Sequence, residues 1–301
     1  MDITQRITEL KKQKNAVILA HYYQPMEIQQ LADIVGDSLE LARKSKNTDA
    51  DILVFCGVNF MGESAALLCP DKRVLLPAPH AGCYMADTIT PDDIKRLKAD
   101  NPDSTVVCYI NSTAATKAEC DICCTSSNAL KVVKSVDTES VIFVPDKNLG
   151  AYVASLVPEK KFVFFENGFC KIHDKLSADS VIKEKALHPD ALILVHPECN
   201  AEVCALADFT GSTAQIITYC ENSKNDEFII CTELGVTERM RALMPGKRFY
   251  IPDSKQLYCD MMKKISLEML LECLEKETGE VVIDDSLREA ALKPIERMLS
   301  I

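Results

Sequence analysis

The segment DILVFCGVNFMGESAALLCPDKRVLLP, residues 51–77, occurs three times in this chain in altered form. Its counterparts are ESVIFVPDKNLGAYVASLVPEKKFVFF at 139–165 and EFIICTELGVTERMRALMPGKRFYIP at 227–252, so the three copies begin 88 residues apart. Each copy contains an apolar strand pattern, a helical pattern and a second apolar run. The helical part of each copy ends at a proline, and these are Pro70, Pro158 and Pro245. The recurrence predicts a structural unit that is present three times.

A second set of apolar runs precedes the copies at the same period. VILAH at 17–21, VVCYIN at 106–111 and LILVH at 192–196 are continuous rather than alternating, which is typical of strands buried on both faces. Because a helix-start pattern follows each run, a unit reads strand, helix, strand, helix, strand. We expect an α/β fold of three homologous small α/β/α parallel-sheet domains around a pseudo-threefold axis. The expected domains are residues 1–87, 88–174 and 175–301, the last with additional C-terminal helices.

The composition excludes several classes of protein. The 301 residues are 47% hydrophobic and 26% charged, as in folded globular proteins. A net charge of −11 argues against nonspecific nucleic-acid binding, and an anionic substrate would need local hydrogen-bond donors. No apolar run approaches the ~20 residues needed to cross a bilayer, and the N-terminal segment lacks the apolar core of a signal peptide. We therefore expect a cytoplasmic enzyme that contacts neither nucleic acid nor membrane.

The chain contains fourteen cysteines, which we expect to stay reduced in the cytoplasm. Cys83, Cys170 and Cys259 alone form a full triplet at the repeat period, 12 to 14 residues after the proline of each unit. Three thiolates on a pseudo-threefold axis can hold a [4Fe–4S] cluster whose fourth iron stays open as a Lewis acid. A zinc ion with one open position and three buried packing thiols are the alternatives. Cys120, Cys123 and Cys124 have no repeat partners, and we interpret them as packing thiols whose redox role is open.

Two further triplets carry polar chemistry. His21, Tyr109 and His196 end the first strands, at spacings of 88 and 87, and each can donate or accept a hydrogen bond. Residues two positions further on point the same way along an extended chain, and these are Tyr23, Asn111 and Glu198. Hydroxyls at the predicted helix starts form the last triplet, Ser38, Ser126 and Thr213. Capping explains any one of these hydroxyls, but three helix N-termini that face one axis would form an anion pocket.

The order and spacing of eight motifs resemble the quinolinate synthase family over nearly the whole chain. The motifs are VILAHYYQ (17–24), GDSL (36–39), AGCYMAD (81–87), VVCYINSTAATKA (106–118), CTSSNA (124–129), NGFCKIH (167–173), HPEC (196–199) and GST (211–213). Two local departures, Tyr84 after the first cysteine and NGF before Cys170, alter loop backbone without removing a ligand.

The resemblance implies a fold, a cofactor and a reaction. The fold is three related α/β domains around one [4Fe–4S] cluster, with Cys83, Cys170 and Cys259 as ligands and one open iron. The reaction is the condensation of iminoaspartate with dihydroxyacetone phosphate to quinolinate, with loss of phosphate and water. Iminoaspartate would come from an oxidase or dehydrogenase, through a transient contact.

The resemblance also implies roles for individual residues. Substrate-binding positions are His21, Asp37, Ser38, Tyr109, Asn111, Ser126, His173, His196, Glu198 and Thr213. We expect Glu198 to act as general base, with His21, Tyr23 and His196 as proton carriers. Tyr109 and Asn111 would orient the reacting intermediate.

Two other functions use the same residues. A zinc lyase or hydrolase would bind its metal through the three cysteines. An iron–sulfur sensor would report oxygen or iron without turnover, although a sensor has no need of the hydroxyl triplet.

Overall fold

The computed structural model describes residues 2–301, in which twelve strands form three parallel four-stranded sheets. The first unit contains α1 (Ile3–Gln13), β1 (Ala16–His21), α2 (Met26–Leu31), β2 (Ile34–Gly36), α3 (Ser38–Lys46), β3 (Ile52–Cys56), α4 (Asn59–Leu68) and β4 (Arg73–Leu75). The second contains α5 (Pro91–Asp100), β5 (Ser104–Tyr109), α6 (Ala114–Ala118), β6 (Ile122–Cys124), α7 (Ala129–Ser135), β7 (Ser140–Val144), α8 (Lys147–Ser155) and β8 (Lys161–Phe164).

The third unit repeats this order and is followed by two helices. The short helix α9 (Lys171–Asp174) ends the second unit, and the third unit contains α10 (Ala178–Leu187), β9 (Leu192–Val195), α11 (Ala201–Cys204), β10 (Phe209–Thr210), α12 (Thr213–Asn222), β11 (Glu227–Cys231), α13 (Leu234–Leu243) and β12 (Arg248–Tyr250). The last helices are α14 (Leu267–Lys276) and α15 (Asp285–Leu299). The predicted fold class is confirmed.

Each sheet has one strand more than the sequence pattern indicates. The additional strands β2, β6 and β10 contain only two or three residues, too few for a periodic pattern. An aspartate directly before each of them accepts the backbone N–H of a residue in the central strand. These bonds are Ile18 to Asp33 at 2.9 Å, Val106 to Asp121 at 2.8 Å and Ile193 to Asp208 at 2.8 Å. The three aspartates are a structural triplet that fixes the edge strand to its neighbour.

Each unit also contains an equivalent lysine that donates hydrogen bonds to backbone carbonyls of the same unit. Lys72 donates to the carbonyls of Thr48 and Ala50, and Lys160 donates to those of Val136 and Thr138. Lys247 makes the equivalent bonds in the third unit. The lysine two positions after each repeat proline therefore satisfies carbonyls of the segment that leads into β3, β7 or β11.

The strand order places the loops after β1, β5 and β9 where a ligand site is expected. The sheets have the orders β2-β1-β3-β4, β6-β5-β7-β8 and β10-β9-β11-β12. From β1, β5 or β9 the chain passes to the edge strand on one side, which is β2, β6 or β10. It then crosses to the strand on the other side, which is β3, β7 or β11. Parallel α/β sheets bind ligands at the carboxyl ends of strands at such a reversal.

The C-terminal helices pack away from the third sheet. α14 contacts α1, whereas α15 contacts α4, α6 and β6, so the end of the chain covers the first and second units. Their buried apolar residues form one core with the first two sheets, and the third sheet has two clusters of its own. No helix among residues 2–301 is long and apolar enough to span a membrane. The domain boundaries near 87 and 174 stay predictions.

Candidate active site

His21 and His196 occupy equivalent positions and make equivalent hydrogen bonds. His21 ends β1 and His196 directly follows β9. The Nδ1 atom of His21 accepts the N–H of Tyr23 at 3.1 Å, and Nδ1 of His196 accepts the N–H of Glu198 at 3.3 Å. Both imidazoles are buried and line one cavity, together with Tyr109 at the end of β5. The predicted convergence of this triplet is therefore visible in the structure.

Burial sets the charge of these imidazoles. It lowers the pKa of His21 to about 4 and the pKa of His196 to about 3. Both rings are therefore neutral near pH 7. Because Nδ1 accepts a hydrogen bond in each ring, the proton of the neutral ring is on Nε2. The two histidines thus present two N–H donors for ligand oxygens.

Glu198 is the centre of a buried hydrogen-bond network. Its Oε1 accepts a 2.6 Å bond from the hydroxyl of Tyr109, and its Oε2 lies 2.8 Å from Nδ1 of His173. Burial by itself raises the pKa of Glu198, but His196, His173 and the Tyr109 hydroxyl together outweigh it and lower the pKa. The carboxylate is therefore ionised. Burial and this negative charge raise the pKa of Tyr109 well above its ordinary value, so the phenol keeps its proton.

Tyr23 lies on the opposite side of His173 from Glu198. Its hydroxyl is 3.4 Å from Oγ1 of Thr213 and 3.3 Å from Oγ1 of Thr232. Thr232 is also 2.9 Å from Nε2 of His173. Thr232 is not predicted from the sequence, although it is the first polar residue after the buried strand β11. A continuous hydrogen-bonded path thus joins Glu198 to Tyr23.

The hydroxyl triplet lines the same cavity, but its members are not helix caps. Ser38 and Thr213 are the first residues of α3 and α12, whose N-caps are Asp37 and Ser212. The helix-start prediction is wrong for Ser126, which lies in a turn three residues before α7 because that helix begins only at Ala129. The hydroxyls of Ser38 and Ser126 make no hydrogen bond within residues 2–301, so both can bind a ligand.

Asn111 contributes a further unused polar atom. Its Oδ1 is buried and has no hydrogen-bond partner within residues 2–301. Asn111 lines the cavity beside the hydroxyl triplet. Since buried acceptors are almost always satisfied, this oxygen points to a ligand with a donor group.

Asp37 lines the cavity, but both of its carboxylate oxygens are engaged by the protein. Oδ1 caps α3 through the N–H groups of Leu39 and Glu40, and Oδ2 accepts a 2.7 Å bond from Ser127. The hydroxyl of Ser127 also lies 2.8 Å from that of Ser212. Asp37 and Ser126 also line an outer groove of about 1150 Å³, to which α3, α7 and α12 contribute. The geometry gives Asp37 a structural role in addition to the predicted substrate contact.

Cys83, Cys170 and Cys259 line the same cavity, and no other cysteine of residues 2–301 does. Each begins a single helical turn, in which the residue four positions on donates to the cysteine carbonyl. These bonds are Asp87 to Cys83 at 3.1 Å, Asp174 to Cys170 at 2.9 Å and Lys263 to Cys259 at 3.1 Å. Backbone N–H groups of the turn face each sulfur. The three sulfurs therefore share one local geometry.

The thiols are protonated when no metal is bound. Burial raises the pKa of Cys83 to about 12 and of Cys259 to about 11, and it raises the pKa of Cys170 as well. A bound metal displaces these protons, and N–H groups that face the sulfurs favour the resulting thiolates. Three equivalent soft donors in one cavity fit an iron–sulfur cluster.

A second donor set overlaps the first. The sulfur of Cys170, a ring nitrogen of His173 and a carboxylate oxygen of Glu198 lie within 4.8 Å of one another and can hold a metal ion. His173, predicted to bind substrate, lies behind the cavity wall and is fully buried. His173 therefore does not face the cavity directly, and its contacts there are with Glu198, Thr232 and Cys170.

The residues that follow the three cysteines contact one another at the surface. The hydroxyl of Tyr84 donates to Oδ2 of Asp260 at 3.1 Å. The ammonium group of Lys171 lies 4.9 Å from the centre of the Tyr84 ring. These contacts connect the three cysteine loops, one from each repeat.

The fold and this cavity define a class of protein: a triplicated α/β enzyme whose three thiols fit an iron–sulfur centre. The family model described as quinolinate synthetase A protein matches residues 5–300. Quinolinate synthase of Clostridioides difficile (strain 630) is 48% identical over 297 residues, 99% of this chain and 97% of the relative. Quinolinate synthases of Alkaliphilus metalliredigens (strain QYMF) and Aquifex aeolicus (strain VF5) are 51% and 46% identical, over 100% of this chain and 98% and 94% of theirs. The chain belongs to the quinolinate synthase family, which confirms the resemblance.

Proposed function

We propose that this enzyme condenses iminoaspartate with dihydroxyacetone phosphate to give quinolinate, inorganic phosphate and two molecules of water. The atoms balance without an oxidant or reductant, so the site must move protons rather than transfer electrons to an acceptor. The observation that carries the proposal is the convergence of three groups in one cavity: the cysteine triplet, the Glu198 network and the hydroxyl triplet. The family membership supports the same reaction.

The proposed cofactor is one [4Fe–4S] cluster held by Cys83, Cys170 and Cys259, with one iron free of protein ligands. When bound, such a cluster supplies a Lewis acid that polarises a substrate oxygen. The three cysteines have the same backbone hydrogen-bond geometry, which supports their role as three equivalent ligands. The Cys170, His173 and Glu198 donor set favours the alternative of a single zinc ion, which metal analysis distinguishes.

The other side chains of the cavity bind substrate and move protons. Glu198 accepts a proton at a carboxylate oxygen, while Tyr109 donates a hydrogen bond to that carboxylate and orients it. His21 and His196 donate from Nε2 to substrate oxygens. Tyr23 serves as a second proton carrier, because burial and the charge of Glu198 raise its pKa and keep its phenol protonated.

The hydroxyls of Ser38, Ser126 and Thr213 hold the phosphate or carboxylate groups, and Asn111 accepts a donor of the intermediate. These neutral donors supply the local attraction that a chain of net charge −11 otherwise lacks for anions. Asp37 accepts hydrogen bonds from Ser127 and Ser212 and so holds these two residues in place. Iminoaspartate is an imine that water hydrolyses, so we include a transient contact with the oxidase or dehydrogenase that makes it. All fourteen cysteines are free, which favours a reducing, cytoplasmic location.

The direct test is anaerobic purification followed by product analysis. Protein with four iron and four sulfide per chain that forms quinolinate from the two precursors supports the proposal. Colourless protein with one zinc, or iron-loaded protein that forms no quinolinate, contradicts it. Cys83→Ala, Cys170→Ala and Cys259→Ala should each lose the cluster, whereas Cys204→Ala, outside the cavity, should keep it.

A further inference from the structure

Glu233 and Lys263 form a buried ion pair next to the cavity. Nζ of Lys263 lies 2.9 Å from Oε1 of Glu233, and the two side chains are 7% and 0% exposed. Placing two charges out of water costs several kcal/mol per ion unless each charge is well paired. Apolar residues of similar volume would stabilise the fold about as well as such a pair. The role of the pair is therefore sought in the groups that it contacts.

The carboxylate of Glu233 joins a helix to the Cys259 loop. Its Oε2 accepts the N–H of Gly235 at 2.7 Å and caps α13. Its Oε1 accepts the backbone N–H of Cys259 at 3.2 Å. The cysteine backbone is therefore attached to the start of α13 through one side chain.

The ammonium group of Lys263 continues the connection into the first unit. It donates to the carbonyl oxygen of Tyr23, while the backbone N–H of Lys263 donates to Cys259. A Cβ atom at Gly235 would lie 2.7 Å from Nζ of Lys263 and 2.7 Å from the carbonyl oxygen of Tyr22. The glycine thus permits α13 to approach this loop closely.

The second unit contains half of the same arrangement. Asp146 caps α8 at the position equivalent to Glu233, and it is fully buried with a backbone hydrogen bond from Cys170. The first unit has Val58 there. A carboxylate beside the cysteine recurs, but a lysine joins it only in the third unit, where the loop must be fixed against Tyr23.

We propose that Glu233 and Lys263 are positioning residues that hold Cys259 and Tyr23 at a fixed separation. In this role neither side chain has to contact the substrate, and neither lines the cavity. This inference rests on the proposed roles of Cys259 as a metal ligand and Tyr23 as a proton carrier. It predicts that the metal centre and the Tyr23 phenol lose their alignment when the pair is removed.

The test compares three variants of the iron-loaded full chain. Lys263→Met and Glu233→Gln each leave one buried charge unpaired and should lower the denaturation midpoint, whereas the double variant removes both charges and should recover much of that loss. In the double variant we expect kcat to fall by about tenfold to a hundredfold, since small misplacements of reacting groups have effects of that order. The matched control is Glu272→Gln combined with Lys276→Met, the same change on an exposed pair of α14.

Two readouts do not depend on turnover. Iron release to a chelator should be faster in the double variant than in the control. In full-length chain stripped of iron, Glu233→Gln should increase the alkylation rate of Cys259 by about fivefold or more through local opening, with Cys83 and Cys170 as internal references. Equal changes at all three cysteines, or a folded double variant with normal kcat and normal iron release, would overturn the proposal. Because these rates need no substrate, they stay informative if the enzyme forms no quinolinate.

Discussion

Nδ1 of His173 lies 2.8 Å from Oε2 of Glu198, and the other nitrogen of the same ring lies 2.9 Å from the hydroxyl of Thr232. Thr232 is in turn 3.3 Å from the hydroxyl of Tyr23. An imidazole that bonds on both sides can pass a proton between its neighbours. His173 therefore couples the ionised carboxylate to the protonated phenol, although it does not line the cavity.

Glu198→Gln tests the role of the carboxylate as base. The amide retains similar size and one acceptor oxygen but cannot accept the proton, so we expect kcat to fall by about 10²–10⁴-fold. Iron content should stay close to that of the unsubstituted enzyme. Glu202→Gln, an exposed residue of α11, is the matched control. Normal turnover by Glu198→Gln would remove the carboxylate from the mechanism.

Ser126→Ala tests the anion pocket. The Ser126 hydroxyl has no partner within residues 2–301, so its loss should affect the bound substrate more than the fold. A hydrogen bond to a charged group contributes about 1.5–3 kcal/mol, so KM for dihydroxyacetone phosphate should rise by about tenfold or more. Ser135→Ala, at the end of α7, is the control. A KM that is unchanged in steady-state assays would place the phosphate elsewhere.

Tyr84→Phe tests the surface contact between the cysteine loops. The ring and its contact with Lys171 remain, but the hydrogen bond to Asp260 is lost. An exposed bond contributes about 0.5–1.5 kcal/mol, so iron release to a chelator should accelerate by roughly twofold to tenfold. Tyr258→Phe, an exposed tyrosine next to Cys259, should leave the rate unchanged. Equal rates for both variants would show that the contact does not protect the metal.

The scaffold could be predicted from the repeat, whereas short elements and long-range contacts could not be predicted from the sequence. Continuous apolar runs fix parallel strands, and spacing alone brings equivalent loops such as those of Cys83 and Cys170 to one axis. Strand β10, with two residues, leaves no pattern. The helix after Ser126 begins late, because the turn is closed by Asn128, whose side chain accepts the N–H of Thr125 at 2.7 Å.

The candidate site shows the same division. Its first-strand triplet and its hydroxyls were predictable, because they recur at the period. Thr232 and the Glu233–Lys263 pair do not recur in all three units, so the repeat period does not identify them as site residues. Their importance comes from contacts between residues far apart in sequence, such as Lys263 with Tyr23. Local pattern carries no information on these contacts.

The buried histidines predict how stability depends on pH. His21 has a pKa of about 4 in the folded chain, against an ordinary value of 6.5, and His196 has a pKa of about 3. Between pH 6.5 and 4 the unfolded chain binds protons that the folded chain does not, so the free energy of unfolding falls as the pH falls. At 1.36 kcal/mol per pKa unit, His21 alone accounts for about 3 kcal/mol by pH 4. The lowered pKa of Glu198 acts in the same direction below pH 4.5.

Urea unfolding under argon at pH 7, 5.5 and 4.5 measures this dependence. The midpoint should decrease at each step, and His21→Gln should flatten the decrease because its side chain does not titrate. His80→Gln, an exposed histidine, should leave the slope as in the unsubstituted chain. A midpoint that stays constant from pH 7 to 4.5 would mean that His21 and His196 bind protons in the folded state, and they would then meet substrate as cations rather than as neutral Nε2 donors.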